Sequence, residues 1–281
     1  MVVTEMENVI KIDGLEDFEP ERIFECGQCF RWDRQPDGSY IGVVGSRAAR
    51  VVKNGESVFI SGTAEDFGDI WRDYFDLDRD YALVRERVAI DDYMTSACRF
   101  GRGIRILHQD KWEALCSFII SQCNNITRIK GIVSRLCGNF GSPIEFEGRT
   151  YYTFPPAERL AGLNTEDLAP LRCGYRADYI IGAAEKVASG ELDLEAVSRL
   201  PEKEMRAALM SLNGVGKKVA NCMMLFGLHR LDAFPVDVWI KRVIDGQYGG
   251  DFDPGIFGEY AGIAQQYMFY YARSGACEEE K

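Results

Sequence analysis

The sequence predicts an α+β protein in which a small N-terminal antiparallel sheet domain packs on a larger helical domain. Two patterns carry this prediction. Over residues 28–61, short aromatic or β-branched runs alternate with turn signals such as Pro36-Asp37-Gly38 and Asn54-Gly55. Beyond this region, apolar residues recur three and four apart, which is typical of amphipathic helices. We therefore expect a sheet domain with flanking helices at 1–98 and a helical domain at 99–281.

The individual elements can be placed in order along the chain. Four runs read as strands, namely CFRWDR, SYIGVVG, ARVVK and ESVFISG. Asp110-Lys-Trp-Glu113 is a capping box that opens a helix through Ser121, and Asn124 or Asn125 starts a helix ending near Gly138. Further helices are expected to start at Pro155-Pro156, Pro170 and Pro201. The rest of the chain reads as almost entirely helical.

The composition is that of a soluble globular protein. The chain has 281 residues, of which 46% are hydrophobic and 27% charged, enough for one large domain or two ordinary ones. No apolar run reaches the roughly 18 residues that a membrane span needs. The N-terminus MVVTEMENVIKIDG also lacks the basic-then-apolar order of a secretory signal. We expect an intracellular protein without membrane contact, in the cytoplasm or nucleoid if its source is bacterial or archaeal.

Cys26 and Cys29 form a Cys-x-x-Cys motif, a spacing that suggests zinc or redox chemistry. The chain has nine scattered cysteines, an odd number that is most simply explained by reduced thiols. A zinc site needs four ligands, yet only His108 and His229 supply imidazoles and no second half-site with zinc spacing occurs. A redox motif would open a helix after a strand, whereas CFRW reads as strand. We therefore expect no metal and no cofactor.

The net charge of −11 is unevenly distributed. Residues 1–95 hold 21 acids and 11 bases, whereas the remainder holds 23 acids and 22 bases. The segment 99–135 has seven bases and only two acids. A basic cluster is more often a solvated face than a binding surface, so this distribution alone favours nucleic-acid binding only weakly.

The segment LNGVGKK carries the strongest chemical signal. One helix is predicted to end at Ser211 and the next to begin at Lys217, with two glycines between them. Glycines allow close approach of a ligand, and the free N–H groups that open a helix suit a phosphate. An ordinary corner between two helices has the same Gly-x-Gly spacing, so both interpretations stay open. Lys218 and Cys222 share a helix face, and Asp237 lies where it could either cap the next helix or act chemically.

LNGVGKKVANC followed by FPVDVW resembles the helix-hairpin-helix, Gly/Pro-rich loop and aspartate of the base-excision DNA glycosylases. Four more segments narrow the resemblance to the 8-oxoguanine DNA glycosylases: GQCFRW, SFIISQCNNITRI, GYRADY and AQQYMF. They occur in the family's order over nearly the whole chain. The resemblance implies a monomer that binds double-stranded DNA containing 8-oxoguanine. The helix-hairpin-helix would span about 205–227 and contact DNA through Asn213, Gly214, Gly216 and Val219.

The resemblance also implies a bifunctional glycosylase and abasic-site lyase. Lys218 resembles the nucleophile whose amine displaces the base and forms a Schiff base with the sugar, permitting β-elimination. Lys217 is adjacent, and the alignment of the motif selects Lys218. Asp237 resembles the acid that stabilises cationic character at the sugar. No cofactor is implied.

Further residues resemble those that recognise the flipped base and its partner. Gly27 would offer its carbonyl to the N7 proton of 8-oxoguanine, Cys222 and Phe269 would sandwich the base, and Gln265 would contact its Watson–Crick edge. On the other strand, Tyr175 resembles the wedge, and Arg176 and Arg128 resemble the arginines that contact the opposite cytosine. Cys123 stands where the family commonly has asparagine, so the preference for cytosine is expected to be looser. Trp239 stands where histidine is frequent.

Three rival functions differ from this prediction in identifiable residues. A glycosylase for 3-methyladenine would share the aspartate but generally lacks a lysine at the position of Lys218. Endonuclease III-like relatives carry a four-cysteine iron–sulfur cluster after the catalytic domain, whereas only Cys277 follows Cys222 here. A non-catalytic DNA-binding module would leave Lys218 and Asp237 unexplained.

Overall fold

The α+β fold is confirmed by a computed structural model, which describes residues 1–276. The acidic tail at 278–280 and Cys277 lie outside the described residues. Within 1–276, no helix is both long and apolar enough to cross a membrane.

Six antiparallel strands form a sheet near the N-terminus, in the order β1-β2-β6-β5-β4-β3. The predicted runs appear as β3 to β6, whereas β1 and β2 were not predicted. The prediction of an almost entirely helical remainder was wrong at the separate hairpin β7-β8. The strands are β1 (Val2–Met6), β2 (Val9–Asp13), β3 (Trp32–Arg34), β4 (Tyr40–Val44), β5 (Arg47–Asn54), β6 (Ser57–Ser61), β7 (Pro143–Phe146) and β8 (Arg149–Tyr152).

The helices follow largely as their caps predict. Asp110 accepts a hydrogen bond from the Glu113 amide (2.8 Å) and opens α6, and Asn125 opens α7. The helices are α1 (Pro20–Glu25), α2 (Ala64–Asp66), α3 (Arg72–Tyr74), α4 (Tyr81–Val88), α5 (Asp92–Phe100), α6 (Lys111–Ile120), α7 (Ile126–Phe140), α8 (Ala157–Ala161), α9 (Arg176–Ala188), α10 (Leu194–Ser198), α11 (Glu202–Met210), α12 (Lys217–Cys222), α13 (Val238–Gln247) and α14 (Ala261–Ser274).

The helix predicted at Pro170 was wrong. Pro170 lies in a single 3-10 turn, Ala169–Leu171. Arg172 then adopts a left-handed backbone (φ 54°), as does Gly174 (φ 61°), and a helix cannot continue through such residues. The helix α9 therefore starts only at Arg176.

The described chain divides into two compact units. Unit 1 comprises 1–28, 51–108 and the described residues from 229 onward, and unit 2 comprises 29–50 and 109–228. Each unit is thus built from separate stretches of sequence. The predicted domain boundary between residues 98 and 99 stays a prediction.

Unit 1 owes its core to alternation in the sheet and to one buried helix. In β2, Ile10 and Ile12 are fully buried while their neighbours are partly exposed, and they pair with Ile60 and Val58 of β6. This period of two places one face of each strand in the core. Most residues of α14 are also buried.

Unit 2 is organised around α6. Residues Trp112 to Ile120 of this helix, apart from Glu113, are buried, so α6 is apolar on all sides, as expected of a central helix. The ring of Phe118 stacks on that of Phe226 (centroids 5.3 Å apart, 19° between planes). Phe226 lies in a π-helical turn, Met223–Gly227, which directly continues α12. The second helix of the hairpin is therefore fixed to the core.

Candidate active site

The hairpin between α11 and α12 in unit 2 has the conformation that its glycines predict. Leu212 and Val215 are buried and joined by a hydrogen bond from the Val215 amide to the Leu212 carbonyl (3.1 Å). Gly214 has φ 78°, and a Cβ at this position would lie 2.2 Å from the Tyr179 ring. Only glycine therefore fits. Asn213 and Gly216 are exposed, and Gly216 directly precedes α12.

The two lysines that open α12 have different surroundings. Lys217 is exposed, whereas Lys218 is half-buried. Val219 and Cys222 are both buried, and Cys222 lies one helical turn beyond Lys218. The structure thus distinguishes Lys218 from its neighbour by burial, which spacing in the sequence could not do.

Arg176, predicted to contact the opposite cytosine, is only 3% exposed. Its guanidinium donates hydrogen bonds to backbone carbonyls, including those of Gln122 (3.0 Å), Cys173 (3.1 Å) and Cys123 (3.3 Å). Cys123 itself is exposed, with a left-handed backbone (φ 47°). Arg176 therefore holds the turn that presents Cys123.

Tyr175 and Arg128 lie on the surface of unit 2. The Tyr175 side chain is 53% exposed although it is large and apolar. Its ring contacts the edge of Tyr179 (5.7 Å between centroids, 73°) and lies 4.6 Å from the Arg176 guanidinium carbon. Arg128 is exposed in the first turn of α7, where its amide donates to the Asn125 side chain. Both side chains are accessible to a ligand.

In unit 1, Gly27 lies just after α1 in a tightly held segment. It adopts φ 86°, a conformation that favours glycine. The carbonyl of Cys26 accepts a hydrogen bond from the Gln266 side chain (2.8 Å), and the buried Gln28 amide donates to the Arg105 carbonyl (2.7 Å). Among the described residues, the Gly27 carbonyl oxygen accepts no hydrogen bond. Its position is fixed by neighbours while its oxygen stays available.

Gln265 and Phe269 lie four residues apart on α14, so they share a face of this helix. Gln265 is only 4% exposed, and its Oε1 is buried without a hydrogen-bond partner within residues 1–276. A buried polar atom without a partner is rare and calls for a functional explanation. Phe269 is half-buried, with the Arg273 guanidinium 5.4 Å from its ring centre.

Asp237 caps α13, as its position in the sequence allows. Its Oδ1 accepts hydrogen bonds from the amides of Trp239 and Ile240, each at 2.9 Å. Within the described part of the chain, Oδ2 accepts none. The carboxylate is therefore oriented through one oxygen and keeps the other for a ligand. Trp239 is half-buried beneath the Arg242 guanidinium, 4.8 Å from its ring centre.

The cysteines of the Cys-x-x-Cys motif are both buried free thiols. Burial raises the pKa of Cys26 to about 11, so this thiol is protonated at neutral pH. A protonated thiol neither ligates zinc nor attacks a disulfide readily.

Two supporting residues escaped the sequence analysis. Gln28 and Gln266 are both buried and fix the backbone on either side of Gly27. Each directly adjoins a predicted site residue, Gly27 in GQCFRW and Gln265 in AQQYMF. Adjacency to a predicted site residue was the only sign in the sequence that these glutamines matter. Their spacing does not distinguish a side-chain amide that anchors the backbone from one that is solvated.

Comparison with known proteins gives consistent matches to both parts of the chain. Residues 10–115 match the N-terminal domain of 8-oxoguanine DNA glycosylase, and residues 116–252 match the HhH-GPD superfamily of base excision DNA repair proteins. A Saccharomyces cerevisiae protein named N-glycosylase/DNA lyase is 40% identical over 187 residues, which cover 62% of this chain and 50% of that protein. The chain spans about half the length of the curated relatives that it matches first.

Solved structures match the chain over almost its whole length. The structure of MBOgg1 in complex with a low-affinity DNA ligand has 45% sequence identity and a TM-score of 0.94, covering 98% of this chain and 99% of that one. The Clostridium acetobutylicum 8-oxoguanine glycosylase/lyase, in complex with double-stranded DNA containing cytosine opposite 8-oxoG, has 37% identity and a TM-score of 0.93. This match also covers 98% of this chain and 99% of that one.

Proposed function

Because the chain belongs to the 8-oxoguanine DNA glycosylase family of the HhH-GPD superfamily of base excision DNA repair proteins, we propose that it is a bifunctional DNA glycosylase and abasic-site lyase. Its substrate is 8-oxoguanine in duplex DNA, which it flips out and excises as a monomer. The relatives whose names include both glycosylase and lyase support this assignment.

The observation that carries the proposal is the half-buried Lys218 at the start of α12, next to an exposed Lys217. The side chain of a nucleophilic lysine must lie where a flipped nucleotide can reach it, and Lys218 lies one helical turn before the buried Cys222. The hairpin that precedes α12 supplies backbone N–H groups suited to a phosphate. Nucleophile and DNA-binding element are therefore adjacent in one short motif.

The chemistry proceeds through a covalent intermediate. The Lys218 Nζ lone pair attacks the anomeric carbon of the deoxyribose, and the bond from this carbon to the base breaks, with the electron pair leaving on the base. Loss of a proton from nitrogen and opening of the sugar ring give a Schiff base. Removal of a proton from the adjacent carbon then eliminates the 3′ phosphate.

Asp237 stabilises the positive charge that develops on the sugar during base departure. Its carboxylate is held through Oδ1 by two amides of α13, which leaves Oδ2 for the substrate. A negative charge placed in advance where positive charge develops lowers the barrier without further reorganisation.

Gly27 and Gln265 select the base. The Gly27 carbonyl accepts the N7 proton that 8-oxoguanine has and guanine lacks. With guanine this buried polar contact is unmatched, and the resulting penalty in binding free energy is roughly 1–3 kcal/mol. The rigid backbone on both sides of Gly27 supports this role, since a mobile carbonyl could turn away from the wrong base. The buried Oε1 of Gln265 acquires a partner when it accepts from the Watson–Crick edge.

Tyr175 fills the gap left by the flipped base, and Arg128 contacts the opposite cytosine. The exposure of both side chains supports these roles. The contact of Arg176 with the opposite cytosine stays a prediction, and its guanidinium also donates to backbone carbonyls of unit 2. We assign it to holding the turn that presents Cys123. A cysteine there is a weaker hydrogen-bond partner than asparagine, so discrimination between opposite bases is loose.

The test is reductive trapping with borohydride on a duplex containing 8-oxoguanine. The wild-type protein should form a covalent complex, Lys218→Gln should form none, and the matched control Lys217→Gln should trap normally. Equal trapping by wild type and Lys218→Gln would contradict the proposal.

Substrate choice is measured with 8-oxoguanine opposite each of the four bases, with 3-methyladenine as a control lesion. Excision of 8-oxoguanine should exceed that of 3-methyladenine, and Cys123→Asn should increase the preference for cytosine opposite the lesion. Faster release of 3-methyladenine would instead identify the rival glycosylase.

A further inference from the structure

Three side chains of metal-ligand type meet in unit 1, and none of them belongs to the proposed active site. They are Asp76, His108 and His229, which come from three separate segments of the chain. One potential ligand atom from each lies within 4.8 Å of the other two. The spacing of these residues in the sequence gives no sign of this cluster.

The separation between His108 and Asp76 suits a bridging ion better than a hydrogen bond. His108 Nε2 lies 3.8 Å from Asp76 Oδ1, which is too long for a hydrogen bond. Two ligand atoms that are each about 2.1 Å from one zinc ion can be at most about 4.2 Å apart, so this pair is within range. Any pair near the 4.8 Å limit of the cluster must move closer when the ion binds. The rings of His108 and His229 are in direct contact, with centroids 3.4 Å apart and 32° between their planes.

The carboxylate of Asp76 is oriented by other residues. Its Oδ2 accepts hydrogen bonds from Arg79 Nε (2.6 Å) and from the Tyr81 hydroxyl (2.9 Å), which leaves Oδ1 on the side of His108. Hydrogen bonds that orient a ligating carboxylate in this way are usual around metal ions. The charge of Arg79 opposes cation binding, and the Asp73 carboxylate, 3.7 Å from His108 Nδ1, offsets it.

His229 is held as a neutral ligand. Its Nε2 lies 3.3 Å from the Ile106 carbonyl, an acceptor, so Nε2 carries the proton and Nδ1 carries the lone pair.

We propose that Asp76, His108 and His229 bind one divalent transition-metal ion of the zinc class. Two imidazoles and one carboxylate form a donor set that zinc and cobalt accept, with solvent completing the coordination. The ion would link three segments of unit 1: the one around Asp76, the one at His108, and the one that begins at His229 and leads to Asp237. Its effect is therefore expected on the stability of unit 1.

Cobalt binding tests this site, because Co²⁺ reports its ligands by visible absorption. Untagged full-length protein, first stripped with EDTA, is titrated with Co²⁺ and in a second experiment with Zn²⁺, followed by calorimetry and thermal unfolding. His108→Asn and His229→Asn remove one ligand each, and asparagine tolerates the left-handed backbone of His229 (φ 50°). Cys123→Ser is the control for binding at the exposed thiol.

Wild type and Cys123→Ser should bind one Co²⁺ per chain without a thiolate charge-transfer band, and Zn²⁺ should raise their Tm. Both histidine variants should bind at least about tenfold more weakly, as expected for loss of one of three ligands. Equal affinity of wild type and His108→Asn would overturn the proposal, and so would a thiolate band that disappears in Cys123→Ser. Lack of saturable binding by folded wild-type protein would do the same.

Discussion

The hairpin of unit 2 and the proposed base-recognition residues of unit 1 are built in opposite ways. In the hairpin, one continuous segment supplies the DNA-binding loop, the glycine that its turn requires and Lys218. In unit 1, Gly27 follows α1 whereas Gln265 and Phe269 lie on α14, and Gln266 links the two segments by bonding to the Cys26 carbonyl. In this proposal the nucleophile lies in a local motif, whereas contacts with the base by Gly27 and Gln265 depend on tertiary structure.

This difference predicts distinct consequences of mutation. A change in a local motif should alter one kinetic step and leave the remaining structure intact. A change in a residue that joins distant segments should alter both stability and base recognition. A change in a residue that contacts only the ligand should alter base recognition alone.

Asp237→Asn should have the largest effect and tests a second local feature, the cap of α13 in unit 1. Asparagine caps helices about as well as aspartate, so the N-terminus of α13 should persist and the Tm should change little. The rate of base excision should fall roughly 10²–10⁴-fold, the range for loss of a catalytic acid or base. Single-turnover excision and DNA affinity are to be measured side by side. Parallel losses in affinity and rate would mean that Asp237 is structural.

The variants Gln265→Leu and Gln266→Leu distinguish a side-chain amide that contacts the ligand from one that anchors the backbone at Cys26. Gln265→Leu should leave the free energy of unfolding unchanged or raised, because its buried Oε1 has no protein partner to lose. Its kcat/KM for 8-oxoguanine should fall about 5- to 150-fold, equivalent to roughly 1–3 kcal/mol. Gln266→Leu should instead lower the free energy of unfolding by roughly 1–3 kcal/mol, since the Cys26 carbonyl loses its donor.

Urea unfolding and excision kinetics on both variants decide this point. If Gln265→Leu destabilises the protein as much as Gln266→Leu does, Gln265 belongs to the core and not to the base-binding surface.

Gly214→Ala and Gly216→Ala sharpen the account of the hairpin. A methyl group at Gly214 would collide with the Tyr179 ring and would need φ 78°, whereas one at Gly216 would meet nothing within 4 Å. Gly214→Ala should therefore destabilise unit 2 by roughly 1–3 kcal/mol and weaken binding to undamaged duplex. Gly216→Ala should keep normal stability. Equal unfolding midpoints for the two variants would refute this assignment.

The last prediction concerns the pH dependence of the stability of unit 1. The pKa of His229 is about 4 in the folded protein, against about 6.5 when unfolded. As the pH falls from about 6.5 to about 4, only the unfolded chain takes up this proton, so stability decreases on acidification, by on the order of 1–3 kcal/mol. Urea unfolding in EDTA should show this loss in wild type and a shallower pH dependence in His229→Asn. Superimposable slopes would contradict the burial of a neutral His229.

The features that the sequence predicted correctly are those that are determined locally along the chain. The meander, the caps of α6 and α7, and the hairpin were predictable because turn residues and capping side chains act within a few residues of their position. The strands β7 and β8 were missed because each has only four residues and neither presents a buried alternating face. The 3-10 turn at Pro170 was mistaken for a helix start because the left-handed residues after it carry no unique signal.

Individual side-chain roles were less predictable than the fold. Arg176 had the identity expected of a base-contacting arginine, and the structure adds hydrogen bonds from its guanidinium to backbone carbonyls that the sequence did not indicate. The cluster of Asp76, His108 and His229 could not be foreseen, since its members meet only through tertiary structure. Both features depend on burial and hydrogen bonding, which the sequence does not specify residue by residue.

The most direct test of the central claim is to locate the lysine that carries the reduced DNA adduct. Wild-type protein trapped by borohydride on 8-oxoguanine duplex is digested with nuclease and protease, and the modified peptide is sequenced by mass spectrometry. The adduct should lie on Lys218. An adduct confined to Lys217 or to the N-terminal amine would contradict the assignment of the nucleophile.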